Sequence, residues 1–198
     1  MIKSVSYNQT EILKSIIELH IPDKKIHADI PYGSGCFYKD IERPSICMDI
    51  NPKFDFVVET DSNLLPFCND SLNSIVFDPP FLCHIKKTNT SIMGKRFSGY
   101  WTYSELETHY KQTLEQCHRA LVKRGILIFK CQDIIHNHKM HSTHASVIQW
   151  ATERGFRLKD LFVLAATHRI PVKAAAHGRQ TQQHARIYHS YFLVFIKK

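Results

Sequence analysis

The sequence predicts an α/β fold with a mostly parallel sheet whose last strand is antiparallel. Two observations lead to this prediction. Short apolar runs of strand length alternate with segments of helical periodicity along most of the 198 residues, which is the order of elements typical of a parallel sheet. The last two apolar runs leave little room for a helix between them, so the final strand is expected to run against its neighbours.

The first half of the chain supplies one helix and four strands. An apolar stripe at helical spacing predicts a helix over residues 8–20, and Pro22 marks its end. The stripe consists of Ile12, Leu13, Ile16, Ile17 and Leu19. Four short apolar runs then predict strands at residues 25–30, 45–50, 54–60 and 73–78.

The second half supplies two helices and three strands. Ser104, followed three residues later by Glu107, has capping-box spacing and predicts the start of a helix that Gly125 closes. A later helix ends at Gly155. The remaining predicted elements are a strand at 125–132, that later helix at about 143–154, and strands at 158–166 and 186–197, which bring the sheet to seven strands.

Acidic residues stand where four successive predicted strands end. They are Asp29, Asp49, Glu59 with Asp61 close behind it, and Asp78. The carboxyl ends of parallel strands meet at one edge of a sheet, where ligands of such folds bind. Because Asp is common in turns, each acid alone also fits a turn without function. Together they predict one polar rim at the ligand-binding edge.

The first of these acids opens a glycine-containing turn. Gly33 and Gly35 follow Asp29 closely, and glycines allow backbone N–H groups to approach a ligand. A turn with two glycines also needs no ligand, and the third glycine of the dinucleotide fingerprint falls at Tyr38. Asp49 stands twenty residues after Asp29, where an acid can hold the ribose hydroxyls of a nucleoside-containing cofactor.

A resemblance to a known family rests on four segments, DIPYGSG, MDINP, ETDSNLLPF and IVFDPPF. In this series the chain resembles the class I S-adenosylmethionine-dependent methyltransferases, and among them the small prokaryotic and phage DNA methyltransferases that modify N6 of adenine or N4 of cytosine. The resemblance covers most of the chain and implies a Rossmann-like methyltransferase fold with S-adenosylmethionine as cofactor. The cofactor loop precedes the catalytic tetrapeptide, as in the gamma-type enzymes.

The resemblance also implies roles for individual residues. The cofactor-binding set is Asp29, Pro31, Gly33 and Gly35 in the loop, Asp49 with Ile50 beside it for the ribose, and Asp61 for the adenine. The catalytic tetrapeptide is Asp78, Pro79, Pro80 and Phe81. Asp in its first position favours N6 of adenine as the target. Methylation of cytosine C5 needs a nucleophilic thiolate, and no Pro-Cys dipeptide is present to supply one.

The tetrapeptide suits transfer to an exocyclic amine. The lone pair of such an amine is delocalised into the base, so the nitrogen is a poor nucleophile. If Asp78 and the carbonyl of Pro79 each accept one N–H, the lone pair points at the cofactor methyl, and the prolines keep the turn rigid. Phe81 offers a face on which the base stacks. The base must be flipped out of a duplex or be single-stranded to reach this pocket.

The charge distribution predicts a polyanionic partner, and the resemblance implies that this partner is a nucleic acid, DNA before RNA. The net charge is +8 with a pI near 9.2, and residues 79–104 and the chain after Asp160 contain no acid. Basic loops that only keep the protein soluble remain an alternative. Four basic residues of the first segment are interleaved with aromatic residues and are the substrate-binding candidates: Lys86, Lys87, Lys95 and Arg96.

Lys130 is a further substrate-binding candidate because its KCQD segment resembles the family. A lysine inside an apolar strand also fits snorkelling to the surface or pairing with an acid. No metal site is predicted. The histidine-rich HNHKMHSTH segment lacks convincing metal-ligand spacing, and the six cysteines contain no CxxC pair.

The chain is expected to form one cytoplasmic domain over residues 1–198. Scattered cysteines predict reduced thiols, and neither a signal peptide nor a membrane span is recognised in the sequence. The chain has no residues left over for a separate target-recognition domain. Recognition of a short site by the basic loops, low selectivity, a homodimer and a specificity partner therefore remain open.

Three other functions remain open at this stage. The same tetrapeptide serves N6-adenine methylation of ribosomal and other RNA, and a lysine methyltransferase of similar motif is a weaker alternative. A nucleic-acid binding protein that lost catalysis is expected to have an eroded cofactor loop or tetrapeptide, and both are intact in this sequence.

Overall fold

The computed structural model describes residues 1–83, 99–166 and 183–198. Within them the chain forms an eight-stranded sheet, a two-stranded hairpin and three α-helices. The strands are β1 (Val5–Ser6), β2 (Ala28–Asp29), β3 (Ile46–Asp49), β4 (Val58–Glu59), β5 (Leu72–Phe77), β6 (Leu121–Cys131), β7 (Ile134–His136), β8 (Lys139–His141), β9 (Phe156–Ala165) and β10 (His189–Lys197). The helices are α1 (Gln9–His20), α2 (Tyr103–Ala120) and α3 (Thr143–Glu153), with a 3₁₀ turn at Cys36–Tyr38.

The large sheet has the strand order β1-β9-β10-β6-β5-β2-β3-β4. Neighbouring strands are parallel except where β10 takes part, because β10 runs antiparallel to both β6 and β9. The predicted mostly parallel sheet with an antiparallel last strand is therefore confirmed. The last strand lies inside the sheet, between two long neighbours.

The central strands are apolar on both faces and separate two cores. Ile75 and Phe77 of β5 pack on one side with residues of α2 and α3, whereas Val76 packs on the other side with residues of α1. Strand β6 divides in the same way, since alternate residues of a strand point to opposite faces. Burial on both faces explains why these strands appear in the sequence as nearly continuous apolar runs. None of the described helices is long and apolar enough to cross a membrane.

The sheet has eight strands rather than the predicted seven. The additional strand is β1, whose Val5 lies opposite Val163 of β9 in a parallel pairing. Two residues are too few to show an alternating pattern, so the sequence contains no signal for this strand.

The stretch from β2 to β5 contains four successive strands, in agreement with the four strands predicted in a row for residues 25–78. This stretch is described throughout, and its connections contain a 3₁₀ turn but no α-helix. The first connection contains several residues that oppose helix formation, namely Pro31, Gly33, Gly35 and Pro44.

Helix α1 is capped as its sequence indicates. The side chain of Asn8 accepts a hydrogen bond of 2.9 Å from the N–H of Thr10. At the other end, Ile21 is extended because Pro22 disfavours helical backbone in the residue before it. The predicted end of this helix is confirmed.

Both predicted boundaries of helix α2 are wrong. The capping box is formed by Thr102 and Glu105 and not by Ser104 and Glu107, although both pairs have the same spacing. The helix ends at Ala120, where the chain enters β6 directly with Leu121 extended.

Gly125 lies inside β6, in an irregular part of its pairing with β5. Arg124 has a φ of 66°, and the register shifts between Leu72 and Ser74. A Cβ atom at Gly125 would lie 2.9 Å from the carbonyl oxygen of Val122. The glycine that was expected to end a helix therefore permits a bulge in a strand.

Candidate active site

The strand-tip acids lie along one edge of the sheet. Strands β5, β2, β3 and β4 are adjacent and parallel in that order, so their carboxyl ends follow one another. This edge presents, in the same order, Asp78, Asp29, Asp49 and Glu59. The structure thus forms the polar rim that the sequence predicts.

Asp29 is buried and only partly satisfied by hydrogen bonds. The side chain accepts a 2.6 Å hydrogen bond from the Tyr38 hydroxyl at Oδ2, and Oδ1 is buried without a partner among the described residues. Burial raises the pKa of Asp29 well above its usual value, and the Tyr38 hydrogen bond opposes this rise. The unpartnered oxygen favours a ligand that brings a positive charge or an N–H group.

Replacing Asp29 by Asn is expected to stabilise the protein at neutral and alkaline pH. Because the folded pKa of Asp29 is raised, its stabilising contribution is fully present below the unfolded value near 3.9 and is lost as pH rises through the folded pKa. The amide still accepts from Tyr38 and carries no charge. The difference in melting temperature between Asp29→Asn and wild type should therefore grow with pH, to about 2–4 °C or more. A difference that does not change between acidic and alkaline pH would contradict this account.

Tyr38 occupies the position of the third fingerprint glycine and positions Asp29. Its ring stacks in parallel on Tyr32, with 5.6 Å between the ring centroids. Burial raises the pKa of Tyr38 well above its usual value, and the neighbouring Asp29 adds to the rise. The hydroxyl therefore stays protonated and remains a hydrogen-bond donor to the carboxylate.

The glycine turn directs its N–H groups toward the protein itself. Gly33 donates a 2.8 Å hydrogen bond to Oδ2 of Asp49, and Gly35 donates to the carbonyl oxygen of Tyr32 at 3.0 Å. Asn51 donates to the other carboxylate oxygen of Asp49 at 2.9 Å. Of the two glycine N–H groups expected from the sequence to face a ligand, that of Gly33 instead orients Asp49, and that of Gly35 closes the turn. Both glycines have positive φ, 60° and 66°, which explains the choice of glycine.

Asp78, the first residue of the tetrapeptide, forms an ion pair with Lys130. The Lys130 Nζ lies 3.1 Å from Oδ2 of Asp78, and the Oδ1 atom is buried without a hydrogen-bond partner in the described part of the chain. Burial raises the pKa of Asp78, and the Lys130 ammonium opposes this rise. The lysine is enclosed by three aromatic rings, those of Phe37, Phe81 and Phe192. Of the alternatives open for Lys130, pairing with an acid is the one that the structure contains.

Helix α2 contacts the tetrapeptide through a buried tyrosine. The fully buried Tyr110 donates a 3.0 Å hydrogen bond from its hydroxyl to the carbonyl oxygen of Pro80. The preceding residue, His109, contacts the Tyr100 hydroxyl through Nδ1 and the Ser62 hydroxyl through Nε2. These contacts fix the turn that follows β5 and join it to the segment that follows β4.

Two other predicted cofactor residues lie in the turns after β3 and β4. Asp61 accepts a 2.9 Å hydrogen bond from the N–H of Asn63 and so closes a turn. That turn is tied to α2 because Thr113 donates to the Asn63 side chain at 2.9 Å. Ile50 is 62% exposed beside Asp49, and apolar surface is therefore available at this edge.

Asp29 and Asp78 line the same small cleft. The other lining residues are Pro31, Tyr32, Cys36, Phe37 and Tyr38. No group of three or more His, Cys, Asp or Glu side chains in the ranges 1–83, 99–166 and 183–198 is arranged to hold a metal ion. The cleft combines buried carboxylate oxygens with aromatic walls, a lining whose chemistry favours a cationic group.

Not every predicted residue can be placed in the structure, and the sequence did not indicate every residue that contacts the candidate site. The candidates Lys86, Lys87, Lys95 and Arg96 lie outside the described residues. Sequence reasoning missed Tyr110, although it lies on the apolar stripe of α2 between Leu106 and Leu114, at helical spacing. In the sequence, Tyr38 stands out only as a departure from the dinucleotide fingerprint.

Comparison with known structures identifies the fold. The chain is similar to a candidate sarcosine dimethylglycine methyltransferase from Galdieria sulphuraria, with a TM-score of 0.59 and 14% identity over 95% of this chain and 84% of that one. It is also similar to the N-methyltransferase NodS from Bradyrhizobium japonicum, with a TM-score of 0.54 and 12% identity over 94% of both chains. The fold is that of the Rossmann-like methyltransferases.

A third structure with this methyltransferase fold is a SAM-dependent methyltransferase from Methanosarcina mazei. Its TM-score is 0.51 at 10% identity, over 92% of this chain and 96% of that one. The chain spans about half of a candidate DNA modification methylase from Thermus thermophilus, 52% of its length, with 70% of this chain covered, 17% identity and a TM-score of 0.46. No protein-family model and no curated protein sequence matches this chain significantly.

Proposed function

We propose that this protein is an S-adenosylmethionine-dependent methyltransferase that modifies an exocyclic amine of a nucleic-acid base, with N6 of adenine in DNA as the first candidate. The observation that carries the proposal is the state of the Asp78 carboxylate. Its Oδ2 is held by Lys130, and its Oδ1 is a buried acceptor without a partner in the described residues, directly ahead of the Pro79 to Phe81 turn. A flat amine with two N–H groups satisfies such an acceptor.

The residues beside Asp78 fit the proposed cofactor. Asp29, Asp49 and Asp78 place three carboxylates at this edge, and the Lys130 ammonium neutralises Asp78. The remaining negative charge favours a ligand with cationic groups, and Asp49 at the tip of β3 can accept hydrogen bonds from ribose hydroxyls. When bound, S-adenosylmethionine supplies a methyl group that is activated by its sulfonium.

The chain itself then supplies orientation and proton acceptance. Asp78 Oδ1 and the carbonyl of Pro79 each accept one N–H of the amine, and Phe81 stacks on the base, so that the nitrogen lone pair faces the methyl group. The amine must lose one proton as it gains the methyl. Because burial raises the pKa of Asp78, this carboxylate is a better proton acceptor than an exposed aspartate.

The fold by itself does not choose the substrate. The matched structures include proteins described as an N-methyltransferase and as a candidate sarcosine dimethylglycine methyltransferase, and one fold hosts many functions. The proposal of a base as substrate rests on the Asp-Pro-Pro-Phe turn at the carboxyl edge and on the net charge of +8.

The proposal is tested by mass spectrometry of nucleosides. Double-stranded DNA, single-stranded DNA and total RNA are each incubated with the protein and S-adenosylmethionine, then digested to nucleosides. N6-methyladenine in a DNA sample supports the proposal, and N6-methyladenine in RNA alone would reassign the substrate. The absence of any methylated nucleoside, with cofactor binding demonstrated by calorimetry, would overturn the nucleic-acid assignment and direct the search to protein lysines.

Asp49→Ala is expected to weaken S-adenosylmethionine binding about 10- to 100-fold, the effect of losing hydrogen bonds to a charged acceptor. Isothermal calorimetry measures the change. Glu59→Ala is the matched control, because this exposed acid ends the neighbouring strand β4 and should leave the affinity unchanged. Unchanged binding by Asp49→Ala would remove Asp49 from the cofactor site.

A further inference from the structure

We infer that the hairpin formed by β7 and β8 contacts the nucleic acid next to the target base, an inference that rests on the proposed function. The hairpin comprises residues Ile134–His141 and forms its own two-stranded sheet. The inference extends the proposed function, because it assigns contacts with the nucleic acid to an element of the methyltransferase fold itself.

The hairpin is placed at the carboxyl edge of the sheet, beside the tetrapeptide. Strands β5 and β6 are parallel neighbours, and Phe77 lies opposite Phe129. The residues that follow these two, Asp78 and Lys130, form the ion pair of the site. Strand β7 begins only four residues after Lys130, so the hairpin leaves the sheet at the edge to which the substrate base must come.

The base of the hairpin is closed by a buried carboxylate. Asp133, which is 5% exposed, precedes the hairpin, and His144 follows it in the first turn of α3. The Asp133 Oδ1 atom accepts hydrogen bonds from the His144 Nδ1 at 2.7 Å and from its backbone N–H at 3.2 Å. The other oxygen accepts from the Tyr191 hydroxyl at 3.2 Å. The hairpin is therefore held in one orientation relative to the sheet.

The two faces of the hairpin differ. Ile134 and His136 are buried against the protein, whereas Ile135 and Met140 lie opposite each other across the ribbon and are 36% and 42% exposed. This pair gives the outer face of the ribbon an exposed apolar contact surface.

The tip of the hairpin is polar and carries no acid. Asn137 and His138 both have positive φ, 49° and 57°, as a two-residue type I′ turn requires, and Lys139 follows them. The turn residues, Lys139 and Met140 are all exposed. No acidic residue occurs from Ile134 to Thr152, a stretch that contains four histidines.

This combination fits a nucleic acid rather than another macromolecule. A two-stranded ribbon fits the major groove of a duplex, amide and imidazole groups can bond to base edges, and Lys139 can contact a phosphate. Ile and Met side chains are used in protein–DNA complexes as apolar wedges between base steps, which suits a site where a base must leave the stack. A ribbon without acids avoids repulsion by the phosphates.

The test measures binding of fluorescein-labelled oligonucleotides by anisotropy as a function of salt. Lys139→Ala should raise Kd and lower the slope of log Kd against log salt by about 1, because one phosphate contact is lost. The double variant Ile135→Ala/Met140→Ala should raise Kd about tenfold with an unchanged salt slope, since it removes only apolar contacts. Lys123→Ala is the matched control. This exposed lysine lies in β6, the strand that precedes the hairpin, but near the opposite edge of the sheet.

The outcomes separate the inference from the proposed function. Calorimetry with S-adenosylmethionine should give the same affinity for wild type and all hairpin variants, which shows that the variants are folded. If wild type methylates a nucleic acid but both hairpin variants bind oligonucleotides as Lys123→Ala does, the inference is wrong and the proposed function stands. If wild type neither binds nor methylates any nucleic acid, the proposed function fails and the inference fails with it.

Discussion

Asp78→Ala is expected to reduce methyl transfer about 10²–10³-fold or more, with little change in the affinity for S-adenosylmethionine. The reason is that, in the proposed function, the buried Oδ1 of Asp78 holds the amine, whereas the groups expected to bind the cofactor stand on the tips of β2 and β3. Single-turnover transfer to an adenine-containing oligonucleotide measures the first quantity, and calorimetry measures the second. Full activity in this variant would show that the assigned chemistry is wrong.

A second variant distinguishes loss of methyl transfer from loss of folding. Asp78→Ala alone leaves the Lys130 ammonium buried, 8% exposed, without its carboxylate partner, and an unpaired buried charge is destabilising. The double variant Asp78→Ala/Lys130→Met removes both charges and keeps an apolar side chain of similar length among the rings of Phe37, Phe81 and Phe192. It should melt at a temperature closer to that of wild type and remain as inactive as Asp78→Ala.

Lys130→Met is expected to move the acidic limb of the pH–rate profile to higher pH. The proposed transfer requires ionised Asp78, so the rate is expected to fall as pH falls through the pKa of this residue. Burial raises that pKa and the Lys130 ammonium lowers it, so removing the ammonium raises it further. At neutral pH the variant should lose activity about tenfold or more, and it should recover part of it at alkaline pH.

The profile of kcat/KM against pH measures this shift for wild type and variant. Lys197→Met is the matched control, since Lys197 also pairs with an aspartate, Asp70, at 2.7 Å. That pair stands at the far end of β10, where the chain is antiparallel to β6, so its loss should leave the profile unchanged. An equal loss of activity by Lys130→Met at every pH would show that Lys130 acts through packing rather than through the charge of Asp78.

Much of the fold was predictable because local pattern and burial agree. The apolar runs of β5 and β6 are buried on both faces, and such runs are distinctive in any sequence. Element boundaries were less predictable. The Thr102 and Ser104 pairs offer the same capping spacing, and the sequence pattern alone does not show that the helix uses the first of them. Strand β1 was not predictable, because two residues show no period.

Some residues of the candidate site were likewise predictable from the sequence, and others were not. The acids at the strand tips were predictable because the ends of the apolar runs mark the ends of strands, and parallel strands bring those ends to one edge. Tyr38 and Tyr110 were not recognised as site residues, because each acts through one hydroxyl whose partner lies elsewhere in the fold, Asp29 for the first and the Pro80 carbonyl for the second. An isolated tyrosine on an apolar stripe gives no signal of its partner.

The sequence by itself determined the α/β class, the carboxyl-edge position of the acids and the tetrapeptide that begins at Asp78, since each depends on neighbours a few residues apart. Only the tertiary structure decided that Lys130, 52 residues away, pairs with Asp78, that the glycine turn orients Asp49, and that the hairpin after β6 stands beside the site. The physical reason is that these relations depend on which strands are neighbours, and hydrophobic periodicity records the burial of each strand but not its place in the sheet.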